Sequence, residues 1–239
     1  MFSFGAHSAE AVNKFMNPLE HPENIVSAIA VHEGWHERFS RNATRMVAVE
    51  ANPHAVASLR SVEETWKKAG VDFIFKHGLA GTMDGGCFKL QQPGSSDHQL
   101  FHRSGRLHES LNQTCDSDHE SVPMISASNL IRSHCSTNDT CLCAFDVEGS
   151  EFDIMRDLFI KTRVGCLCDV LVVEWHEFLE SEKEYLLTAD LVSSRLDFDS
   201  RFTSAAVLDS AMRFLLEDKT ADCNVKYFGF RYDQEILDI

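Results

Sequence analysis

The chain has 239 residues, of which 44% are hydrophobic and 25% charged, so it can bury the core of one globular domain and is not a disordered chain. Seventeen Phe residues supply large apolar surfaces for that core. The net charge of −15 repels phosphate backbones, and the pair Lys67 and Lys68 is too isolated to form a basic patch. The sequence therefore predicts no nucleic-acid partner.

Membrane insertion and targeting are not indicated either. No apolar run approaches the roughly 20 residues that a membrane-spanning helix needs, and the N-terminus lacks the long apolar stretch of a signal peptide. The sequence thus predicts no membrane segment and favours a cytoplasmic location. A luminal location stays open, because it would need only a segment upstream of Met1 and would suit three N-x-S/T sequons, at Asn42, Asn112 and Asn138.

The first predicted elements are a strand, a turn and a helix. Residues 2–6 indicate the end of a buried strand running into a tight turn, and Ser8 can N-cap the helix that follows. The apolar face of this helix consists of Val12, Phe15 and Met16. Residues 23–45 are ambiguous between a helix and a break.

The next elements repeat this alternation. Residues 46–49 predict a buried parallel strand that Glu50 closes, and Asn52 and Pro53 open a helix that ends at Gly70. Further strands are predicted at residues 71–76, 87–90, 141–147, 169–174 and 226–232, and helices from about residue 150 and over about 204–217. The polar residues 91–120 predict a surface loop or insertion. Alternating strands and helices predict a doubly wound α/β sheet in one domain over residues 1–239.

Eight cysteines include two C-x-C pairs, Cys141 with Cys143 and Cys166 with Cys168, and no C-x-x-C pair. The absence of C-x-x-C argues against a zinc ribbon or a thioredoxin-type site. Free cysteines are among the most buried residue types, so the favoured interpretation is buried cysteines on two strands. A four-thiolate metal site and disulfides are the alternatives.

Ligands of open α/β sheets bind beyond the carboxyl ends of the strands, so the residues there are the candidate site. The turn Gly5-Ala6-His7 allows close backbone approach, and the helix after it favours a negative ligand group. Glu50 can accept both hydroxyls of a ribose. The alternatives are a purely structural turn and a carboxylate that merely faces solvent.

Two later strand ends carry candidates for proton transfer. Asp146 and Glu148 are two positions apart at one strand end, so their side chains can lie on the same face. Such a carboxylate pair can act as a general base or hold a divalent cation. Alternatively, Glu148 stabilises the start of the next helix. Glu174 and His176 follow the next strand. His176 is the best single proton acceptor, because an imidazole titrates near neutral pH.

At these positions the sequence resembles the FkbM family of methyltransferases. The most specific match is residues 146–151, DVEGSE, which resemble the family's D-V-E-G-a-E segment. Residues 172–176, VVEWH, resemble its later strand, and residues 49–53, VEANP, its E-P-N-P segment. The weakest match is residues 2–10, FSFGAHSAE, to its D-x-G-A-N-x-G-D glycine motif.

The resemblance implies a Rossmann-like class I methyltransferase fold, with seven mostly parallel strands and residues 226–232 as an antiparallel last strand. It implies methyl transfer from S-adenosylmethionine to a hydroxyl oxygen, on a small molecule or a glycan. Carried over, the cofactor-binding positions are Gly5, Ala6 and His7 along the methionine part, Glu50 at the ribose, Asn52 beside it, and Asp146 near the methyl donor. The acceptor would face Glu148, Glu174 and His176, which with Asp146 are the catalytic candidates.

Two departures from the family pattern keep another function open. Ser3 stands where the family has Asp, and Ala9 replaces the second glycine of the motif. Both changes suit a non-catalytic, methyltransferase-like binding module. A nicotinamide-dependent oxidoreductase would require a full G-x-G-x-x-G, which residues 5–10 do not supply.

Overall fold

A computed structural model describes residues 1–22, 24–38, 44–89, 121–147, 150–175 and 223–231. The chain divides into two compact units, Met1–Ala80 with Asp84–Ile125, and Gly81–Met83 with Ser126–Ile239. The loop predicted at 91–120 and the helix predicted at about 204–217 lie outside the described residues. No described helix is both long and apolar enough to cross a membrane.

Nine strands and six α-helices lie in the described residues. The strands are β1 (Phe2–Phe4), β2 (Arg45–Glu50), β3 (Asp72–His77), β4 (Leu79–Gly81), β5 (Cys87–Lys89), β6 (Ser121–Ser126), β7 (Leu142–Phe145), β8 (Val170–Trp175) and β9 (Lys226–Arg231). The α-helices are α1 (Ala9–Met16), α2 (Ile25–His32), α3 (Trp35–Arg38), α4 (Val56–Lys68), α5 (Ala127–His134) and α6 (Glu151–Arg156). Short 3₁₀ helices occupy Pro53–Ala55 and Val164–Leu167, and a π-helical turn occupies Asp157–Lys161.

Six strands form one sheet in the order β3-β2-β1-β7-β8-β9, and three form a smaller sheet in the order β4-β6-β5. The pairs β1–β2, β2–β3, β7–β8 and β8–β9 are all parallel. Parallel strands need crossover connections, and helices connect β1 to β2, β2 to β3 and β7 to β8 along the chain. The predicted α/β fold with a mostly parallel sheet is therefore confirmed.

The prediction of an antiparallel last strand is wrong. β9 pairs with β8 in parallel, with Val170 opposite Lys226 and Trp175 opposite Arg231. An antiparallel neighbour can follow a tight turn, whereas a parallel one needs a crossover of about a dozen residues or more. The connection of residues 176–225 is long enough for such a crossover, so chain length permits the parallel arrangement. The described part of the sheet has six strands, against the seven expected.

In the first unit, α1 and α4 bury the apolar faces that their sequences predict. Val12, Phe15 and Met16 are buried on α1, as are Leu59, Val62 and Trp66 on α4. The indole N–H of Trp66 donates to the side-chain oxygen of Asn13 at 3.0 Å, which ties the two helices together. Gly70 has a φ of 95° at the end of α4, the left-handed conformation that a helix-ending glycine takes.

In the second unit, three disulfides overturn the interpretation of the C-x-C pairs as free buried cysteines. They join Cys135 to Cys141, Cys143 to Cys168, and Cys166 to Cys223. Neither pair is bonded within itself: Cys141 and Cys143 are bonded to Cys135 and Cys168, and Cys166 is bonded to Cys223. The pairs form no four-thiolate site, because each of the four cysteines is bonded to another sulfur.

The disulfides lie toward the amino ends of the strands in this unit. Cys141 directly precedes β7, Cys168 lies just before β8, and Cys223 lies just before β9. The side chain of Asp169 accepts a hydrogen bond from the backbone N–H of Cys141 at 2.7 Å, which further joins the starts of β7 and β8. The cross-links thus hold together the strand ends opposite to those at which open α/β sheets bind ligands.

Candidate functional site

The turn after β1 has an uncommon backbone conformation. Gly5 has a φ of 76° and His7 a φ of 49°, so a non-glycine residue occupies the left-handed region. The backbone N–H groups of Gly5 and Ala6 both donate to the carbonyl oxygen of Val49, at 2.9 and 3.0 Å. The turn is therefore folded back against the end of β2. Ser8 follows and caps α1 as predicted, accepting from the N–H of Ala11 at 3.2 Å.

Glu50 fastens this turn from the end of β2. Its side chain is only slightly accessible, at 6% relative exposure of the residue. One carboxylate oxygen accepts the backbone N–H of His7 at 2.7 Å, and the other accepts the N–H of Asn52 at 2.6 Å. Each carboxylate oxygen has two lone pairs, so each keeps acceptor capacity beyond these bonds. Glu50 can thus hold the backbone around it and still accept hydroxyl groups.

Two further side chains complete the strand ends of the first unit. The side-chain oxygen of Asn52 accepts the N–H of His54 at 2.9 Å and so starts the 3₁₀ helix that leads into α4. At the end of β3, Nε2 of His77 lies 3.1 Å from the carbonyl oxygen of Ala51, to which it donates when it carries the proton. The strand predicted over residues 71–76 ends directly before His77, but the sequence does not indicate this contact.

Gly78 closes the same region and cannot be replaced by a larger residue without movement. Its N–H donates to the carbonyl oxygen of Glu50 at 2.9 Å. A Cβ built on Gly78 would lie 2.5 Å from the carbonyl oxygen of Pro123 and 2.6 Å from the side chain of Ile125. Close backbone approach, rather than left-handed conformation, therefore requires glycine here.

In the second unit, Asp146 and Glu174 lie at the carboxyl ends of neighbouring strands. Phe145, the last residue of β7, is opposite Val173 of β8, and Asp146 and Glu174 come directly after these two residues. Both are half-buried. The structure thus places these two candidates at adjoining strand ends. Glu148 and His176 lie outside the described residues, so their roles stay predictions.

Glu151 is a buried carboxylate to which the sequence analysis gave no role. It has no exposed surface, and its carboxylate accepts the backbone N–H of Val147 at 3.1 Å. This contact ties the start of α6 back to the segment that follows Asp146. Its place as the last letter of the D-V-E-G-a-E segment was the available signal, because a buried acid in such a motif needs a partner.

Within the described ranges, no group of three His, Cys, Asp or Glu side chains is arranged to hold a metal ion. The strand ends of the first unit instead offer backbone N–H groups, an acidic side chain with spare acceptor capacity, and a left-handed turn. Such a combination suits a polar organic ligand with hydroxyl and anionic groups.

A family model described as "Methyltransferase FkbM domain" matches residues 21–231. This range covers β2, the strand ends at Glu50, Asp146 and Glu174, and β9. The turn at Gly5 to His7 precedes it, so its likeness to the family's glycine motif stays a prediction. No curated protein matches the chain, and no solved structure matches it.

Proposed function

We propose that the chain, which belongs to the FkbM methyltransferase family, transfers a methyl group from S-adenosylmethionine to a hydroxyl oxygen of a small molecule or glycan. The observation that carries the proposal is the arrangement at Glu50. A nearly buried carboxylate closes the second strand of the sheet and is bonded to the glycine turn of the first. These are the positions where the family resemblance puts the cofactor.

The residues of the first unit fit an adenosyl cofactor. Glu50 has one hydrogen bond to each oxygen, which leaves a lone pair on each for the two ribose hydroxyls. The turn of Gly5, Ala6 and His7 would lie along the methionine part, whose carboxylate the start of α1 would favour. The backbone N–H of Asn52 donates to Glu50 at 2.6 Å and so holds the chain next to this carboxylate as it leaves β2.

When bound, S-adenosylmethionine supplies an electrophilic methyl group on a sulfonium. Asp146 and Glu174 would position the donor and the acceptor hydroxyl, since alignment of the reacting atoms is the main contribution of such a site. As the acceptor oxygen bonds to the methyl carbon and the carbon–sulfur bond breaks, the hydroxyl proton goes to a base. The candidates for that base are His176 and the carboxylates of Asp146 and Glu148.

The alternative is a methyltransferase-like binding module without turnover. It is favoured by Ser3, which lies in β1 opposite Ala48 where the family has Asp, and by Ala9, which begins α1 where the family has glycine. Cofactor binding without methyl transfer to any hydroxylated acceptor would support this alternative.

The ribose assignment is tested by titrating S-adenosylhomocysteine into wild type and into Glu50→Gln by calorimetry. We expect the variant to bind at least about ten-fold more weakly, since an amide presents one acceptor oxygen in place of two and loses a charged hydrogen bond. Glu64→Gln is the matched control, because Glu64 is exposed on α4. Its affinity should equal that of wild type.

Glu50 also holds two backbone N–H groups, so the unfolding midpoint of each variant is measured in parallel. A folded Glu50→Gln that binds as tightly as wild type would rule out the ribose role. An unfolded Glu50→Gln would be replaced by Glu50→Asp, which keeps the charge but shortens its reach. The same weakening of binding is expected there.

A further inference from the structure

The exposed turn between α5 and β7 carries a sequon. Asn138, Asp139 and Thr140 form an N-x-T sequence in which the middle residue is not proline. Residues 136–140 are all exposed. Of the three sequons in the chain, those at Asn42 and Asn112 fall outside the described residues.

The turn is held by the side chains of Ser136 and Asp139, and Asn138 takes part only through its backbone N–H, which donates to the Ser136 hydroxyl at 3.4 Å. The carboxylate of Asp139 accepts both the backbone N–H and the hydroxyl of Ser136, each at 2.8 Å, and the N–H of Asp139 donates to the carbonyl oxygen of Ser136 at 3.0 Å. In the described part of the chain, the side-chain amide of Asn138 takes part in no hydrogen bond. The side chains of Asn138 and Thr140 are therefore not needed for the turn.

A disulfide flanks this sequon on both sides. Cys135 and Cys141 are bonded to each other and close a loop that contains the whole of residues 136–140. With Cys143–Cys168 and Cys166–Cys223, the second unit has three such bonds. Protein disulfides form and persist mainly in oxidising compartments, such as the secretory lumen and the cell exterior. A sequon matters in the same setting, where asparagine is glycosylated on a surface loop.

We propose that Asn138 is an N-linked glycosylation site and that the chain matures in an oxidising, secretory compartment. This proposal does not depend on the methyl-transfer proposal. It replaces the cytoplasmic location favoured by the sequence, because the disulfides add a second and independent indication to the sequon. The donor is a lipid-pyrophosphate-linked oligosaccharide. The amide nitrogen of Asn138 bonds to the anomeric carbon, the carbon–oxygen bond to the pyrophosphate breaks, and one amide proton passes to a base of the transferring enzyme.

The position of Asn138 is compatible with an active enzyme. The turn precedes β7, whose four residues span about 13 Å and end just before Asp146. A glycan on Asn138 therefore extends from the amino end of this strand, whereas ligands are expected at its carboxyl end.

The direct test uses the chain isolated from its natural source without reduction. Its free thiols are alkylated, and its peptides are treated with peptide N-glycosidase in heavy-oxygen water and analysed by mass spectrometry. We expect position 138 to be recovered as aspartate carrying heavy oxygen, and Cys135 and Cys141 to be unalkylated until reduced. Unmodified asparagine at position 138, or alkylated cysteines at 135 and 141, would overturn the proposal.

A second test separates Asn138 from the other sequons. The full chain is translated behind a cleavable secretory leader in the presence of microsomes, and glycans are counted by their mobility shifts. Asn138→Gln and Thr140→Ala should each remove one shift, whereas the matched control Thr140→Ser keeps the sequon and should keep the shift. If Asn138→Gln kept every mobility shift of the wild-type chain, the assignment would be overturned. Because the variants are in an exposed turn, each should fold as wild type does, which a protease digestion of the translocated chain checks.

Discussion

The Cys166–Cys223 disulfide should contribute more to stability than any other described cross-link in the second unit. It joins residues that are 57 positions apart, whereas Cys135–Cys141 joins residues only 6 positions apart. The bond also fixes the start of β9 beside the start of β8, where the N–H of Lys226 donates to the carbonyl oxygen of Asp169 at 2.9 Å. Without it, the covalent path from β8 to β9 would run only through residues 176–225.

The magnitude follows from loop closure in the unfolded chain. A cross-link between residues 57 positions apart raises the free energy of the unfolded chain by about 4 kcal/mol, because it removes conformational entropy. A cross-link between residues 6 positions apart raises it by about 2 kcal/mol. The double variant Cys166→Ala with Cys223→Ala should therefore lose about 2 kcal/mol more than Cys135→Ala with Cys141→Ala. Alanine is used because it leaves neither a free thiol nor a new polar group.

The assay is urea unfolding of oxidised wild type and of both double variants, followed by tryptophan fluorescence and circular dichroism. Coincident transitions would allow the free energies of unfolding to be compared. Equal losses in the two double variants, or a larger loss for the Cys135–Cys141 pair, would refute the loop-closure reasoning. A loss of β9 pairing alone, seen as a separate early transition, would instead show that the bond acts locally.

Three further predictions concern single side chains. Burial raises the pKa of Glu63. Hydrogen bonds from Lys67, from Arg60 and from the backbone N–H of Phe75 lower it by more, so the pKa lies below its ordinary value of 4.5. A carboxylate whose pKa is lower in the folded protein stabilises the folded state at pH values above its unfolded-state pKa. In unfolding experiments, Glu63→Gln should therefore lose the most stability at neutral pH, and the loss should shrink as the pH falls below 4.5. A loss that grows as the pH falls would contradict this. Gly78→Ala should lower the free energy of unfolding by about 1–3 kcal/mol, because its Cβ would meet backbone, and an unchanged midpoint would refute the close approach. Glu151→Ala should cost about 1–3 kcal/mol or more by leaving a buried N–H unpaired, whereas Glu151→Gln keeps an acceptor and should cost less; the reverse order would argue against the contact to Val147.

Local signals in the sequence predicted much of the sheet and its helices. Ser8, Asn52 with Pro53, and Gly70 are residues whose backbone or side-chain chemistry marks helix ends without help from the rest of the fold. The structure differs in one detail, since Asn52 begins a 3₁₀ turn before α4. Strand β6 was not predicted, because Pro123 within it argues against a strand.

Features that depend on distant residues could not be predicted in the same way. The direction of β9 depends on how residues 176–225 connect it to β8, and no local pattern encodes that. Likewise, C-x-C spacing does not show that Cys143 pairs with Cys168 while Cys166 reaches Cys223.

The candidate site was partly predictable for the same reason. Glu50 could be placed because it ends an apolar strand of a parallel sheet, where ligands bind. Its bond to the N–H of His7 could not, because the two residues are 43 positions apart and meet only once β1 and β2 pair. Sequence reasoning thus predicted a ligand role for the Glu50 carboxylate and missed that it also holds the turn.

The most direct test of the account is a calorimetric titration of the oxidised chain with S-adenosylhomocysteine, with NAD as the comparison ligand. The account predicts micromolar binding of S-adenosylhomocysteine and no binding of NAD. Binding of NAD, or no binding of S-adenosylhomocysteine by the folded chain, would contradict the assignment of the strand ends around Glu50 as a methyltransferase cofactor site.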